Sequence, residues 1–170
     1  LIDLFVTNYG RDLLYRNNGD GTFTEVAGRA AVAGGPVWST GATFGDYDRD
    51  GWVDLYVARY LEFDVENPPF QGEFCGYRGI PVMCGPKGLT GSPDVLYRNN
   101  GDGTFTDLTL EAGLGYVHYP TKTASWGDYD NDGDLDLFIV NESDREILAP
   151  TQLFRNNGDG TFTDVAAQAG

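Results

Sequence analysis

Cationic side chains are scarce in this chain. Its 170 residues include 11 Lys and Arg against 26 Asp and Glu, a formal net charge of −15. Arg11, Arg16, Arg29, Arg49 and Arg59 are scattered, and no window concentrates them. A surface without a basic patch does not neutralise phosphate, so nucleic acid is set aside as a partner. Histidine is nearly absent. His118 lies in Gly115-Tyr116-Val117-His118-Tyr119-Pro120 with no nucleophile beside it, since Ser125 falls in an expected strand. It is read as a loop or packing residue, and no catalytic constellation is found. Among 24 glycines there is no G-x-x-x-x-G-K-[ST] phosphate cradle. No leader or membrane-spanning run is visible, as expected of an internal piece of a longer chain, so no direct membrane insertion is expected.

Aspartate is plentiful, and it is ordered. Asp46-Tyr47-Asp48-Arg49-Asp50-Gly51-Trp52-Val53-Asp54 and Asp128-Tyr129-Asp130-Asn131-Asp132-Gly133-Asp134-Leu135-Asp136 both read D-x-D-x-D-G-x-x-D, 82 residues apart. Carboxylates at alternate positions repel one another unless a hard cation lies between them. Calcium, with six to eight oxygen ligands and tolerant geometry, suits such a cage. The expected ligands are Asp46, Asp48, Asp50 and Asp54 with the Trp52 carbonyl, and Asp128, Asp130, Asp132 and Asp136 with the Asp134 carbonyl. Position 7 offers only its carbonyl, so its side chain is treated as irrelevant. An EF-hand would need a Glu at position 12, where Val57 and Ile139 stand. The alternative is a metal-free acidic turn.

Arg16 through Thr24, Arg98 through Thr106 and Arg155 through Thr163 each spell RNNGDGTFT. Asn-Gly and Asp-Gly supply the positive φ of tight turns, so each copy predicts a β-hairpin. Turn chemistry accounts for Asp20, Asp102 and Asp159 without a metal. The hairpin arginine precedes the next position-9 aspartate by 38 residues in both cases, Arg16 to Asp54 and Arg98 to Asp136. Asp3 occupies the same place as those aspartates and is the expected remnant of a truncated loop. The onward spacing varies, at 13, 44 and 19 residues, which marks an insertion point.

The repeat is about 51 residues, Asp3 to Asp54. One strand follows each acidic loop (Leu55–Tyr60, Leu137–Val140), two flank each hairpin, and one precedes the next loop (Trp38–Gly45, Thr121–Gly127). Four strands per repeat predict an all-β fold of propeller blades. Gly41, Ala42 and Ala124 suit an inner strand crowded near the axis. The units are 1–45, 46–127 with an insertion at 61–93, and 128–170. Two and a fraction units do not close a ring, so further blades of a parent chain are the expected partners.

Phe44-Gly45-Asp46-Tyr47-Asp48 and Trp126-Gly127-Asp128-Tyr129-Asp130 resemble FG-GAP/VCBS repeats, and the fuller pattern is similar to the cartilage acidic protein/UnbV group. The resemblance covers nearly the whole chain. It implies an integrin-α-like calcium-binding β-propeller, of seven blades when complete. The segment Cys75 to Leu89 looks like an insertion common in that group.

Cys75 and Cys84, the two cysteines, both fall in this insertion among Gly76, Gly79 and Pro81. A disulfide stapling an irregular loop is the favoured interpretation, with free thiols in a reducing compartment as the alternative. Zinc is disfavoured with two thiols and a distant His118. Calcium loops and a disulfide together suggest a secreted, periplasmic or cell-surface protein. Two Ca²⁺ would move the formal charge from −15 to −11. The function expected is adhesion or recognition of a protein or glycan ligand, not catalysis. Tyr60, Phe63, Phe70, Phe74 and Tyr77 of the insertion are candidates either for ligand contact or for packing onto their own blade. A lectin, or the non-catalytic part of a polysaccharide-active enzyme, is the alternative.

Overall fold

The computed structural model of the chain describes residues 1–67, 75–82, 88–143 and 148–170. Phe70, Phe74 and Cys84 lie outside the described residues, and with Cys84 so does its pairing with Cys75. The described chain is mostly β-strand, in antiparallel sheets. The first repeat contributes β1 (Leu4–Val6), β2 (Tyr9–Gly10), β3 (Leu13–Asn17), β4 (Phe23–Glu25), the single-turn α1 (Ala27–Ala30) and β5 (Val37–Gly45). The second adds β6 (Asp54–Arg59), the insertion hairpin β7 (Cys75–Tyr77) and β8 (Ile80–Val82), then β9 (Val95–Asn99), β10 (Phe105–Asp107) and β11 (Thr121–Gly127). The third has β12 (Asp136–Asn141), β13 (Gln152–Asn156), β14 (Phe162–Asp164) and α2 (Ala166–Ala169).

Two sheets contain meanders of the expected order, β5-β6-β9-β10, to which β2 adds beside β5, and β11-β12-β13-β14, and β1-β3-β4 forms another. The strand before each acidic loop therefore belongs with the strand after it, and the loop joins them as a wide hairpin. Its closing pairs are Gly45 with Asp54 and Gly127 with Asp136. The RNNGDGTFT hairpins share one register: Asn17 opposite Phe23, Asn99 opposite Phe105, Asn156 opposite Phe162. Asp20 Oδ1 accepts the Thr22 N–H at 2.9 Å and its hydroxyl at 2.6 Å. Asp102 and Asp159 repeat this, so the hairpin aspartates are turn residues, as expected.

β6 is buried along its whole length, and its period-2 alternation serves two cores. Leu55 and Val57 pack with Leu14, Val32 and Val95 towards the β1-β3-β4 sheet. Tyr56 and Ala58 pack with Leu96, Leu137 and Ile139 towards the β11-β12-β13-β14 sheet. Burying each of these large apolar side chains contributes roughly 2 kcal/mol. β5 and β11 run side by side. A Cβ on Gly41 would lie 3.3 Å from the Lys122 carbonyl and the Thr123 Cα, so the small residue is what lets these strands approach. Gly45 is tighter still, since a Cβ there would sit 2.6 Å from Trp126 Cδ1. Thr40 adds a hydroxyl bond to the Thr121 carbonyl at 2.8 Å.

One helical turn after each hairpin was not expected from the sequence. Ala30, Ala112 and Ala169 N–H groups close these turns on Val26, Leu108 and Val165. The turns place Ala27, Ala30 and Ala112 in the cores.

Candidate metal centres

Each acidic loop is shaped by its own backbone N–H groups. Position 6 takes φ +92° in both copies (Gly51 and Gly133), a left-handed conformation that favours glycine. In loop one Asp46 Oδ2 accepts the Gly51 N–H at 3.1 Å, Asp48 Oδ1 accepts that of Asp50, and Asp50 Oδ1 that of Trp52. In loop two Asp128 takes both the Asp132 and the Gly133 N–H at 3.1 Å, and Asp132 takes that of Asp134. These bonds turn the carboxylates inward in spite of their mutual repulsion.

The loops gather different triads. One oxygen from each of Asp46, Asp48 and Asp50 lies within 4.8 Å of the others, and so do Asp128, Asp130 and Asp136. Oxygens that share one calcium at about 2.4 Å stand no more than about 4.8 Å apart, so both triads fit that ion. Asp46 Oδ1 is buried without a hydrogen-bond partner. A buried carboxylate oxygen with no donor is costly unless a cation meets it. Asp54 stands outside its triad, and Asp132 outside the other.

Asp54 and Asp136 are held at the loop base. Both oxygens of Asp54 accept backbone N–H groups, from Tyr47 at 3.1 Å and from Asn99 at 2.8 Å. Asp136 is bound in the same way by Tyr129 and Asn156, each at 2.9 Å. Burial pushes the Asp54 carboxyl up to about 6 against those bonds, with Asp48 and Asp50 adding to the rise. Asp136 is raised by the same cause. A cation would reverse both shifts by favouring the charged form.

Asp3 repeats the pattern, accepting the Asn17 N–H at 2.8 Å. The second residue of each RNNGDGTFT motif is thus a clamp on an acidic loop, which sequence reasoning missed. Its amide also donates to the carbonyl before the aspartate: Asn17 to Ile2, Asn99 to Val53, Asn156 to Leu135. The signal was an identical asparagine in all three copies.

Position 7 side chains are not idle. Trp52 lies against Gly101, where a Cβ would meet Nε1 at 2.9 Å, and Asp134 approaches Gly158, the corresponding glycine. Leu1 lies over Gly19 in the same way. Asp134 also pairs with Arg49 of loop one at 2.8 Å.

The insertion leaves β6 at the end opposite the acidic loop. Tyr60 is buried, its hydroxyl donating to Glu142 and its ring lying 3.6 Å beneath Lys122 Nζ. Phe63 packs edge-on against Trp38 and Tyr9, whereas Tyr77 is exposed. His118 lines a cavity of about 470 Å³ with Arg59, Asp94 and Glu111, and its carbonyl would lie 2.6 Å from a Cβ on Gly91.

Cartilage acidic protein 1 of Homo sapiens is 27% identical over 154 residues, covering 90% of this chain and 19% of the human protein. That of Xenopus tropicalis is 26% identical over 140 residues, covering 82% of this chain and 17% of its own length. The chain thus spans about a fifth of these curated relatives. The FG-GAP-like repeat model matches residues 1–57, 88–139 and 128–170, and the chain belongs to the FG-GAP-like repeat family.

Proposed function

We propose that the chain is a section of a calcium-binding β-propeller that serves as a recognition scaffold rather than an enzyme. The observation that carries the metal assignment is Asp46 Oδ1, buried and without a donor beside two further carboxylates. Bound calcium would offset most of the charge of each triad and fix the connection between the inner strand and the strand that follows it. Asp46, Asp48 and Asp50 would hold one ion, with Asp54 and the Trp52 carbonyl closing the site. Asp128, Asp130 and Asp136 would hold the other, with Asp132 and the Asp134 carbonyl.

The propeller assignment draws on β5 and β11, whose close approach at Gly41 is that of inner strands around an axis. The metal's role is structural, because the insertion emerges at the other end of β6, about 17 Å away along six residues. Loops on a rigid scaffold are where partners dock, so the insertion is the proposed contact for a protein or glycan. A secreted, periplasmic or cell-surface setting suits the millimolar calcium such a site requires.

Thermal melting in calcium and in chelator tests the metal assignment. Calcium should raise the Tm of the wild type, and Asp48→Ala or Asp130→Ala should each remove part of that rise. Equal melting with and without chelator in the wild type would refute it.

A further inference from the structure

We propose that the two acidic loops are coupled through Asn156, so that a cation in one loop raises the affinity of the other. The inference rests on the calcium assignment above and adds a positioning residue to it. Asn156 is 3% exposed and belongs to β13, outside both loops. Its N–H donates to Asp136 Oδ1 of loop two at 2.9 Å. Its side-chain amide donates to Leu135 of loop two at 3.2 Å and to the Tyr47 carbonyl of loop one at 2.9 Å. The Tyr47 N–H in turn donates to Asp54 Oδ2. Two residues, Asn156 and Tyr47, thus connect the position-9 carboxylate of one site with that of the next.

Tyr47 makes the connection stiff. It stands between Asp46 and Asp48 in sequence and is 2% exposed. Its ring stacks on Trp126, 6.1 Å between centroids at 8°, and meets Phe162 at 5.7 Å. Loop one is therefore seated on the core that it shares with the third repeat. Without a cation, the carboxylates on either side of Tyr47 repel and the loop is less ordered. A cation that fixes Asp46 and Asp48 fixes the Tyr47 carbonyl, which holds Asn156 where it also grips Asp136. The second loop then has less ordering left to perform, which is positive coupling without a large change of shape.

Asn99 is the internal control. It occupies the same motif position and grips Val53 and Asp54 of its own loop. The Arg49–Asp134 ion pair is a second bridge, but the Arg49 side chain is 61% exposed, so salt screens it. The buried amide is the coupling element.

Titrating the chain with calcium while following the backbone amides of Gly51 and Gly133 by NMR resolves the two loops separately. Asp48→Asn disables loop one and Asp130→Asn disables loop two. Each should weaken the intact loop by the same factor, about five- to tenfold, because linkage is reciprocal. In an Asn156→Ala background that factor should fall to about one. With Asn99→Ala it should persist, even though loop one binds more weakly. Intact loops that are indifferent to their neighbour, or a coupling that survives Asn156→Ala, would overturn the proposal. Should Asn156→Ala fail to fold, absent or unequal factors in the two aspartate variants would overturn it by themselves. If neither glycine responds to calcium in the wild type, the calcium assignment fails and the coupling falls with it. Binding without coupling refutes the coupling alone.

Discussion

Lowering the pH of the calcium-free protein from 7 to 5 should stabilise it, which is the opposite of what a carboxylate in an ordinary ion pair would do. Burial raises two carboxyls to about 6, Asp54 at the base of loop one and Asp94 at the foot of the insertion. Asp94 accepts the Tyr56 and Thr121 hydroxyls at 2.8 Å and the Arg59 N–H at 2.6 Å, yet burial outweighs these bonds. A folded-state pKa above the unfolded 3.8 means that the folded protein binds the proton more tightly. Stability therefore falls as pH rises through about 6 and is regained below it. Between pH 7 and 5 each group contributes about 1 kcal/mol. Together they correspond to a Tm increase of order 5 °C in chelator for a chain of this length. Asp12 and Asp136 are raised as well and act in the same direction.

Calcium should oppose this trend, because protons compete with the ion for the loop carboxylates. The same acidification in millimolar calcium should then lower the calcium-dependent part of the Tm. Asp94→Asn helps to separate the two sources, since it removes the Asp94 part of the pH response, which calcium does not touch. Melting curves by circular dichroism at pH 5, 6 and 7, with calcium and with chelator, give the answer. A chelated protein whose Tm falls or stays level on going from pH 7 to 5 would refute this treatment of Asp54 and Asp94.

Gly45→Ala places a methyl 2.6 Å from the Trp126 ring, which is wedged against Tyr47, Tyr56 and Phe162. It should cost about 2–3 kcal/mol, read as the shift of a urea midpoint at constant m-value. A shift under half of that would show that the ring can move aside. Arg49→Gln should change stability by less than about 1 kcal/mol, and the effect should shrink in high salt, because the Arg49 end of the Arg49–Asp134 pair is largely exposed. A larger, salt-resistant loss would mean that the pair is shielded from solvent.

Local chemistry was legible in the sequence wherever a few neighbouring residues decide the structure. Asn-Gly and Asp-Gly turns announced three hairpins, and β-branched runs after the acidic loops announced β6 and β12. Gly41 was also recognisable as a residue of a crowded strand and Ala124 packs against the core, whereas Ala42, read in the same way, is exposed. Contacts between distant residues were not legible. Asn156 reaches Tyr47 across 109 positions, and no local pattern encodes that bond. The first asparagine of RNNGDGTFT accepts a turn N–H, as Asn99 does from Gly101, and that sufficient local role hid the clamp. Position 7 was dismissed because calcium needs only its carbonyl, whereas Trp52 and Asp134 are used in packing and pairing. The N-cap residues of the four-residue helical turns are valines, Val26 and Val165, and the capping acid stands one position earlier, where Glu25 and Asp164 accept the Ala27 and Ala166 N–H groups, so no ordinary N-cap announced them.

Calcium titration of the chain by calorimetry tests the central claim most directly. Two sites of sub-millimolar to millimolar affinity are predicted, one lost in Asp48→Ala and the other in Asp130→Ala. No heat of binding from a folded wild-type chain would make both loops metal-free turns and contradict the calcium assignment.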